Sequence, residues 1–283
     1  MPCSFTVQTC ISKGMDVWFE IAQAKFEIFL EQKLEIYGES VAALGPLPEE
    51  AAILGENLKA LPDTFIDSIH ERIEKTYIDL PNGYEVTEEE SADCPSALYG
   101  ELTSVGVLQM HKLMEDFGAT SATGGDGTPT FLDLGAGTGK VPIELALRAP
   151  EMNTVGVEFI QSRNDVGTVA LKLMSMEDDE NVDNLKSRVK LICGDFLELP
   201  NADVCENVTS MFCCGVGFSE EFCLKICDRI VAGFPKLKIC VLLFRAPPPH
   251  ELVMPAEGKC VTLEHVNTTW MNETPAMLIK FDR

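Results

Sequence analysis

A chain of 283 residues, 46% of them hydrophobic, can bury a sizeable core and is not disordered as a whole. Its formal net charge of -23 repels phosphate backbones, so little direct nucleic-acid binding is expected; a basic partner fits, and so does acidity that only keeps the protein soluble. No apolar run reaches the roughly 18–20 residues of a membrane-spanning helix, and no membrane partner is expected.

The first twelve residues, Met1 to Ser12, lack a basic stretch followed by an apolar one, so no secretory leader is expected. The 11 cysteines lack the regular spacing of a disulfide scaffold, which places them, reduced, in cytosol or nucleus. The Asn-x-Ser/Thr matches at Asn207, Asn267 and Asn272 then carry no meaning. Cys213-Cys214, Cys223 and Cys227 form no short zinc knuckle, so buried thiols rather than a metal site are expected there.

In chain order, Val17, Ile21, Ile28, Phe29 and Leu34 recur near the helical period over 14–37. A second helical stretch covers about 49–61. A third follows Pro62-Asp63, with Phe65, Ile66, Ile69 and Ile73 on one side. Residues 1–97 are therefore expected to be a helical region without assignable chemistry, its helices packing on or beside the core. Asn82-Gly83 marks a turn, Glu88-Glu89-Glu90 reads as a solvated charge run, and Val105 to Phe117 as a helix. Ala119 to Pro129 reads as a flexible surface loop.

The pattern then changes. Strands are expected at Thr130–Leu134, Thr154–Glu158, Val189–Cys193, Thr209–Cys213 and Lys238–Phe244. Helices are expected at Lys140–Arg148, Gln161–Met174 and Glu220–Val231, with an acidic loop over Glu177–Asn184. Strands alternating with helices imply parallel pairing through right-handed crossovers. Val261–Val266 and Ala276–Phe281 follow with no helix between them, as an antiparallel hairpin would.

Asp133 closes the first strand, and Gly135, Gly137 and Gly139 follow at alternate positions before a helix. Such a loop at the carboxyl edge of a parallel sheet is where open α/β sheets take ligands. The spacing G-x-G-x-G fails the dinucleotide fingerprint G-x-G-x-x-G, and Val141 after Gly139-Lys140 fails the P-loop. An acid ahead of the glycines suits a ligand carrying an ammonium and a sulfonium rather than a pyrophosphate, which points to S-adenosyl-L-methionine. Glu158, at the second strand end, is placed to hold both ribose hydroxyls. In Gly194-Asp195-Phe196, after the third strand, Asp195 can accept from an adenine amino group and Phe196 offers a stacking face.

The order Tyr99-Gly100-Glu101, helix, Asp133-Leu134-Gly135, Gly156-Val157-Glu158, Gly194-Asp195-Phe196-Leu197, Thr269-Trp270 resembles the disruptor-of-telomeric-silencing family of histone-lysine methyltransferases. The likeness runs from about Leu98 to the end, and in size the chain is closer to protist, trypanosome-like members than to the long animal enzymes. It implies a class I methyltransferase fold, Rossmann-like with a mostly parallel seven-stranded sheet, over residues 98–283. It also implies a nuclear address, although cytoplasm suits the composition equally. By the resemblance, Tyr99 and Glu101 touch the methionine part of the cofactor, and Trp270 walls a channel for the substrate lysine.

The sequence departs from the family in four places. The family's Asn-Asn-Phe after the fourth strand is replaced by Phe212-Cys213-Cys214-Gly215, which puts Cys214 or Gly215 near the methyl donor. Cys94 lies near the position of an aromatic ahead of Tyr-Gly-Glu, Leu278 stands for a second channel aromatic, and the basic DNA-gripping tail is missing. Three readings stay open: methylation of a lysine on a histone core, methylation of a non-histone protein, and a methyltransferase-like binder of a basic protein.

Overall fold

The computed structural model describes residues 67–92, 94, 99–121, 127–176, 184–199, 202–243, 258–270 and 274–281. The helices expected at 14–37 and 49–61, and residues 177–183 of the acidic loop, lie outside the described residues.

Seven strands form one sheet: β1 (Thr130–Leu134), β2 (Asn153–Glu158), β3 (Val189–Cys193), β4 (Val208–Cys214), β5 (Ile239–Leu243), β6 (Gly258–Val266) and β7 (Thr274–Phe281). Their order is β3-β2-β1-β4-β5-β7-β6. The first five are parallel, and β7 runs antiparallel between β5 and β6. This is the mostly parallel, Rossmann-like, seven-stranded layout expected from the sequence. Chain reversal between β1 and β4 makes a switch point at β1, where a ligand crevice opens in such sheets.

The strands are apolar on both faces because helices cover both. Residues of alternate parity therefore enter different layers. Leu132, Leu134, Met211, Cys213, Cys240 and Leu242 pack with Ile226 and Ile230 of one helix, α8 (Glu220–Gly233). Phe131, Phe212, Ile239 and Val241 pack with Met110, Leu113 and Met114 of α3 (Ser104–Asp116). Two further helices, α4 (Lys140–Arg148) and α5 (Gln161–Met174), follow β1 and β2. Short helices α6 (Leu185–Arg188) and α7 (Ala202–Cys205) precede β3 and β4. The buried thiols of Cys213, Cys227 and Cys240 are raised by burial, that of Cys227 to about 12, which makes them inert core residues. Among the described residues, no group of three or more His, Cys, Asp or Glu could hold a metal ion. No described helix is long and apolar enough to cross a membrane.

Two N-terminal elements meet the domain that follows, the first as a helix packed on the core and the second against expectation. Helix α1 (Ser68–Tyr77) begins at Asp67, whose side chain accepts from the His70 N–H. Although it lies upstream of residue 98, it packs on α4 and α5, with Ile73 fully buried against Ile143, Ala146 and Ala170. The Glu88–Glu90 run is not simply solvated. It opens a one-turn helix, α2 (Glu88–Ala92), and Glu90 accepts from the Ser162 N–H (3.0 Å) at the start of α5. Hydrogen bonds from Ser162 and Thr87 lower the Glu90 carboxyl to about 2. The loop after α3 is tied down at its start as well: Ala119 and Thr120 are buried, and the Ala119 carbonyl accepts from Thr209 Oγ1 (2.6 Å).

A buried ionic cluster locks α1, α3 and α4 together. The Arg148 guanidinium donates to Asp67 Oδ2 (2.6 Å) and to Glu144 Oε1 (2.6 Å). Ser104, at the start of α3, donates to Glu144 Oε2 (3.0 Å) and lies 2.7 Å from His70 Nδ1. Burial raises the Glu144 carboxyl despite Arg148, whereas Asp67, nearer solvent, is held below its usual value because the Arg148 bonds outweigh its burial. Removing the cation strands Glu144, whose side chain is 1% exposed. Arg148→Met is therefore expected to destabilise the fold by about 3–5 kcal/mol in urea denaturation at neutral pH. An unchanged unfolding midpoint would show that the cluster is dispensable.

Candidate functional site

The site begins where β1 stops. Asp133 is the penultimate residue of the strand, 2% exposed, and its Oδ1 accepts no hydrogen bond. Burial pushes its carboxyl well above the ordinary range, and the nearby Glu158 and Glu101 push it further. An unpaired buried acid costs stability unless a cation or donor is brought to it.

The chain then turns through Gly135, Gly137 and Gly139 at φ of 82°, 56° and 75°, the left-handed region that side chains avoid. The glycine spacing in the sequence has this cause. A Cβ added at Gly135 would meet nothing within 4 Å, so that corner of the loop is open; the same holds at Gly194 beyond β3. Gly137 has no such room, because a Cβ there would run into the ring of Tyr99.

Glu158 closes β2 beside this loop and is 5% exposed. Its Oε2 accepts from the Gly137 N–H (2.7 Å) and its Oε1 from the Ile160 N–H (2.9 Å). The residue expected to hold a ribose thus also holds the loop itself. Each carboxylate oxygen has a second lone pair, so the two roles are compatible.

Tyr99-Gly100-Glu101 reaches the loop from outside the sheet. A short antiparallel contact holds it there: Leu102 bridges Thr268, the Thr269 N–H donates to the Glu101 carbonyl (2.9 Å), and the Glu101 N–H donates to Thr269 Oγ1 (3.2 Å). This contact carries Trp270 onto the motif, where its indole packs so closely on Gly100 that a Cβ would collide with it. Residues about 170 positions apart in the chain are therefore neighbours.

The side chains of this segment converge on Thr138. Thr138 Oγ1 donates to Glu101 Oε1 (2.8 Å), and the Tyr99 hydroxyl donates to the same carboxylate oxygen while lying 3.0 Å from Thr138 Oγ1. Burial and the Glu101 carboxylate raise the Tyr99 hydroxyl far above its ordinary value, so it stays a donor. The second oxygen of Glu101 faces Lys140 Nζ at 3.8 Å, and Lys140 also pairs with Glu74 of α1 at 2.9 Å. Burial disfavours the Lys140 charge, but the carboxylates of Glu101, Glu74 and Glu144 more than restore it and its pKa is raised.

Other expected residues sit differently. Asp195 lies at the end of β3, as expected, but its Oδ1 accepts from the Leu197 N–H (2.8 Å) and so caps the turn Phe196–Glu198. Phe196, expected to offer a stacking face, is 6% exposed and packs against Phe218 and Phe222 at 6.2 and 5.7 Å between centroids. The short turn after Asp195 points its ring into the α8 layer. Cys214 ends β4 half-buried, with its thiol raised to about 12 by burial and by Asp133 nearby, so at neutral pH it is no nucleophile. Leu278 is a core residue of β7, opposite Val241, and no second aromatic wall.

Four further residues belong to the site, and no motif marks them: Tyr77, Thr138, Lys140 and Arg163. Arg163, 4% exposed, donates to the Gly83 carbonyl (2.8 Å), lies 4.0 Å from Glu158 Oε1, and stacks over the Tyr99 ring at 4.7 Å. Tyr84 meets the edge of the same ring at 5.1 Å. A lysine directly after the last loop glycine and an arginine one turn into α5 were the visible hints.

The sequence matches no family model and no curated protein sequence. Among solved structures, PKMT2 from Rickettsia typhi, in complex with AdoHcy, is similar at 19% identity over 41% of this chain, with a TM-score of 0.33; the match spans 20% of that protein. TrmK of M. capricolum, bound to S-adenosyl-homocysteine, is similar at 11% identity over 54% of this chain and 62% of its own, TM-score 0.40. The magnesium protoporphyrin IX methyltransferase ChlM from Synechocystis PCC 6803, with bound SAH, is similar at 9% identity over 83% of this chain and 100% of its own, TM-score 0.46.

The Asp133 environment has a thermodynamic consequence. An acid whose folded pKa is raised contributes stability below its unfolded pKa and loses it as pH rises toward the folded value. Asp133→Asn is thus expected to raise the unfolding midpoint of the ligand-free protein at pH 7. The gain should shrink toward pH 4, near the ordinary carboxylate pKa of about 3.9. Urea midpoints across this range test it, and a pH-independent difference would refute it.

Proposed function

We propose that the chain is an S-adenosyl-L-methionine-dependent protein methyltransferase, and that its substrate is a lysine of a basic protein, a histone core being the first candidate. One observation carries the cofactor half: a buried, unpaired Asp133 carboxylate heads an open loop of three left-handed glycines, with Glu158 at the next strand end. Asp133 would hold the methionine ammonium, Glu158 the ribose, and Asp195 the adenine amino group; the open corners at Gly135 and Gly194 leave room along that path. The cofactor would supply an electrophilic methyl group on a sulfonium, transferred by in-line displacement without a metal.

The substrate half rests on Trp270 packed over Tyr99-Gly100-Glu101, together with the family likeness of those residues. An aromatic wall beside a buried acidic cluster suits an alkyl-ammonium by cation–π attraction and excludes water. The chain supplies positioning rather than a general base: Glu101 fixes Tyr99, and the sulfonium charge of a bound cofactor would favour the neutral form of an entering amine. The net charge of -23 favours a basic protein over nucleic acid. A histone substrate makes a nuclear address part of the same proposal.

Two measurements check this reading. Asp133→Ala and Glu158→Ala are each expected to weaken S-adenosyl-homocysteine binding at least tenfold by calorimetry, and wild-type binding is expected to release a proton as Asp133 ionises against the ammonium. Unchanged affinity in both variants would remove the cofactor assignment. Labelled donor incubated with histones, nucleosomes and whole extract then tests the substrate: labelling of histone supports the proposal, and labelling confined to a non-histone protein overturns its histone part.

A further inference from the structure

Thr138 is held from two sides. Its hydroxyl belongs to the Glu101–Tyr99 cluster, and its carbonyl accepts from the hydroxyl of Tyr77, at the last residue of α1 (2.9 Å). That carbonyl is also the wall that a Cβ at Gly167 of α5 would strike, so it lies in a narrow seam between α1 and α5. The residues flanking Thr138 are Gly137 and Gly139, both left-handed. The peptide that carries this carbonyl joins Thr138 to a glycine and can rotate easily, and a donor on the carbonyl selects one orientation.

A second contact runs along the same seam. Lys140 pairs with Glu74, one turn before Tyr77, and its ammonium lies 5.6 Å from the Tyr77 ring centroid. Helix α1 therefore touches the loop at Thr138 and at Lys140, while its Ile73 is anchored in the core. The hydroxyl of Tyr77 sits in surroundings that keep it protonated, because burial and the carboxylates Glu101 and Glu144 all raise its pKa, so it remains a donor across the accessible pH range.

We infer that Tyr77 is a positioning residue for the cofactor loop: by fixing the Thr138 carbonyl it sets the loop that Glu158 and Glu101 grip from the other side, which makes α1 a working part of the binding site. The inference rests on the cofactor reading given above. It places a determinant of cofactor affinity in a helix upstream of the segment that the family likeness covers.

Tyr77→Phe removes one oxygen and keeps the ring, so it tests the bond directly. The probe is S-adenosyl-homocysteine, titrated by calorimetry into wild type, Tyr77→Phe, Lys140→Met and the double variant, with the thermal midpoint of each ligand-free protein measured in parallel. Tyr77→Phe is expected to weaken binding about fivefold to tenfold, the size of one lost hydrogen bond, with a ligand-free midpoint close to wild type. The two substitutions are expected to combine less than additively, because both release the same loop.

Wild-type affinity in Tyr77→Phe would overturn the inference. So would a variant that fails to fold, or one whose ligand-free midpoint falls with its affinity unchanged, since either makes Tyr77 a purely structural residue. Absence of binding to the wild type would instead sink the cofactor reading itself.

Discussion

The hydrogen bond from the Gly137 N–H to Glu158 is the interaction on which the site depends. A loop with three left-handed residues among five has little conformational preference of its own, and glycine makes each of its states cheap. A buried carboxylate at the end of the neighbouring strand gives one of those states a strong acceptor. Because β1 and β2 are paired in register from Thr130 and Asn153 onward, the loop and Glu158 arrive at the same sheet edge by construction. Once Gly137 is fixed, Tyr99 has a floor to pack on and Thr138 faces Glu101.

Around this bond the molecule arranges charge unusually. Asp133, Glu158 and Glu101 are close enough to perturb one another, and Lys140 and Arg163 stand at opposite flanks. Glu101 is compensated by Lys140 and two hydroxyls, and Glu158 by two main-chain N–H groups and the Arg163 guanidinium. Asp133 alone among these three carboxylates keeps an oxygen without a partner. A folded protein tolerates such a group mainly where a ligand will complete it, which is why the unsatisfied acid is more informative than the satisfied ones. The Arg148 cluster, by contrast, is saturated on every side and serves to fix three helices.

The alternation of strands and helices, and most element limits, were legible in the sequence. β1, β3, α4 and α5 begin and end where periodicity placed them, because apolar runs bounded by Gly, Pro or Asp leave little ambiguity. The loop was legible for a related reason: left-handed backbone requires glycine, so its geometry is written in residue identity. The short helices α2, α6 and α7 were not, since each is a single turn whose existence depends on contacts such as that between Glu90 and Ser162.

By itself, then, the sequence determined the strands, the glycine loop and the acidic strand ends at Asp133 and Glu158, because local periodicity and backbone sterics encode them. Only the tertiary structure decided that Trp270 lies on Gly100, that Phe196 turns into the core, and that α1 reaches the loop through Tyr77 and Glu74. Those outcomes rest on pairings between distant segments, Leu102 with Thr268 and Tyr77 with Thr138, whose partners have no fixed spacing along the chain.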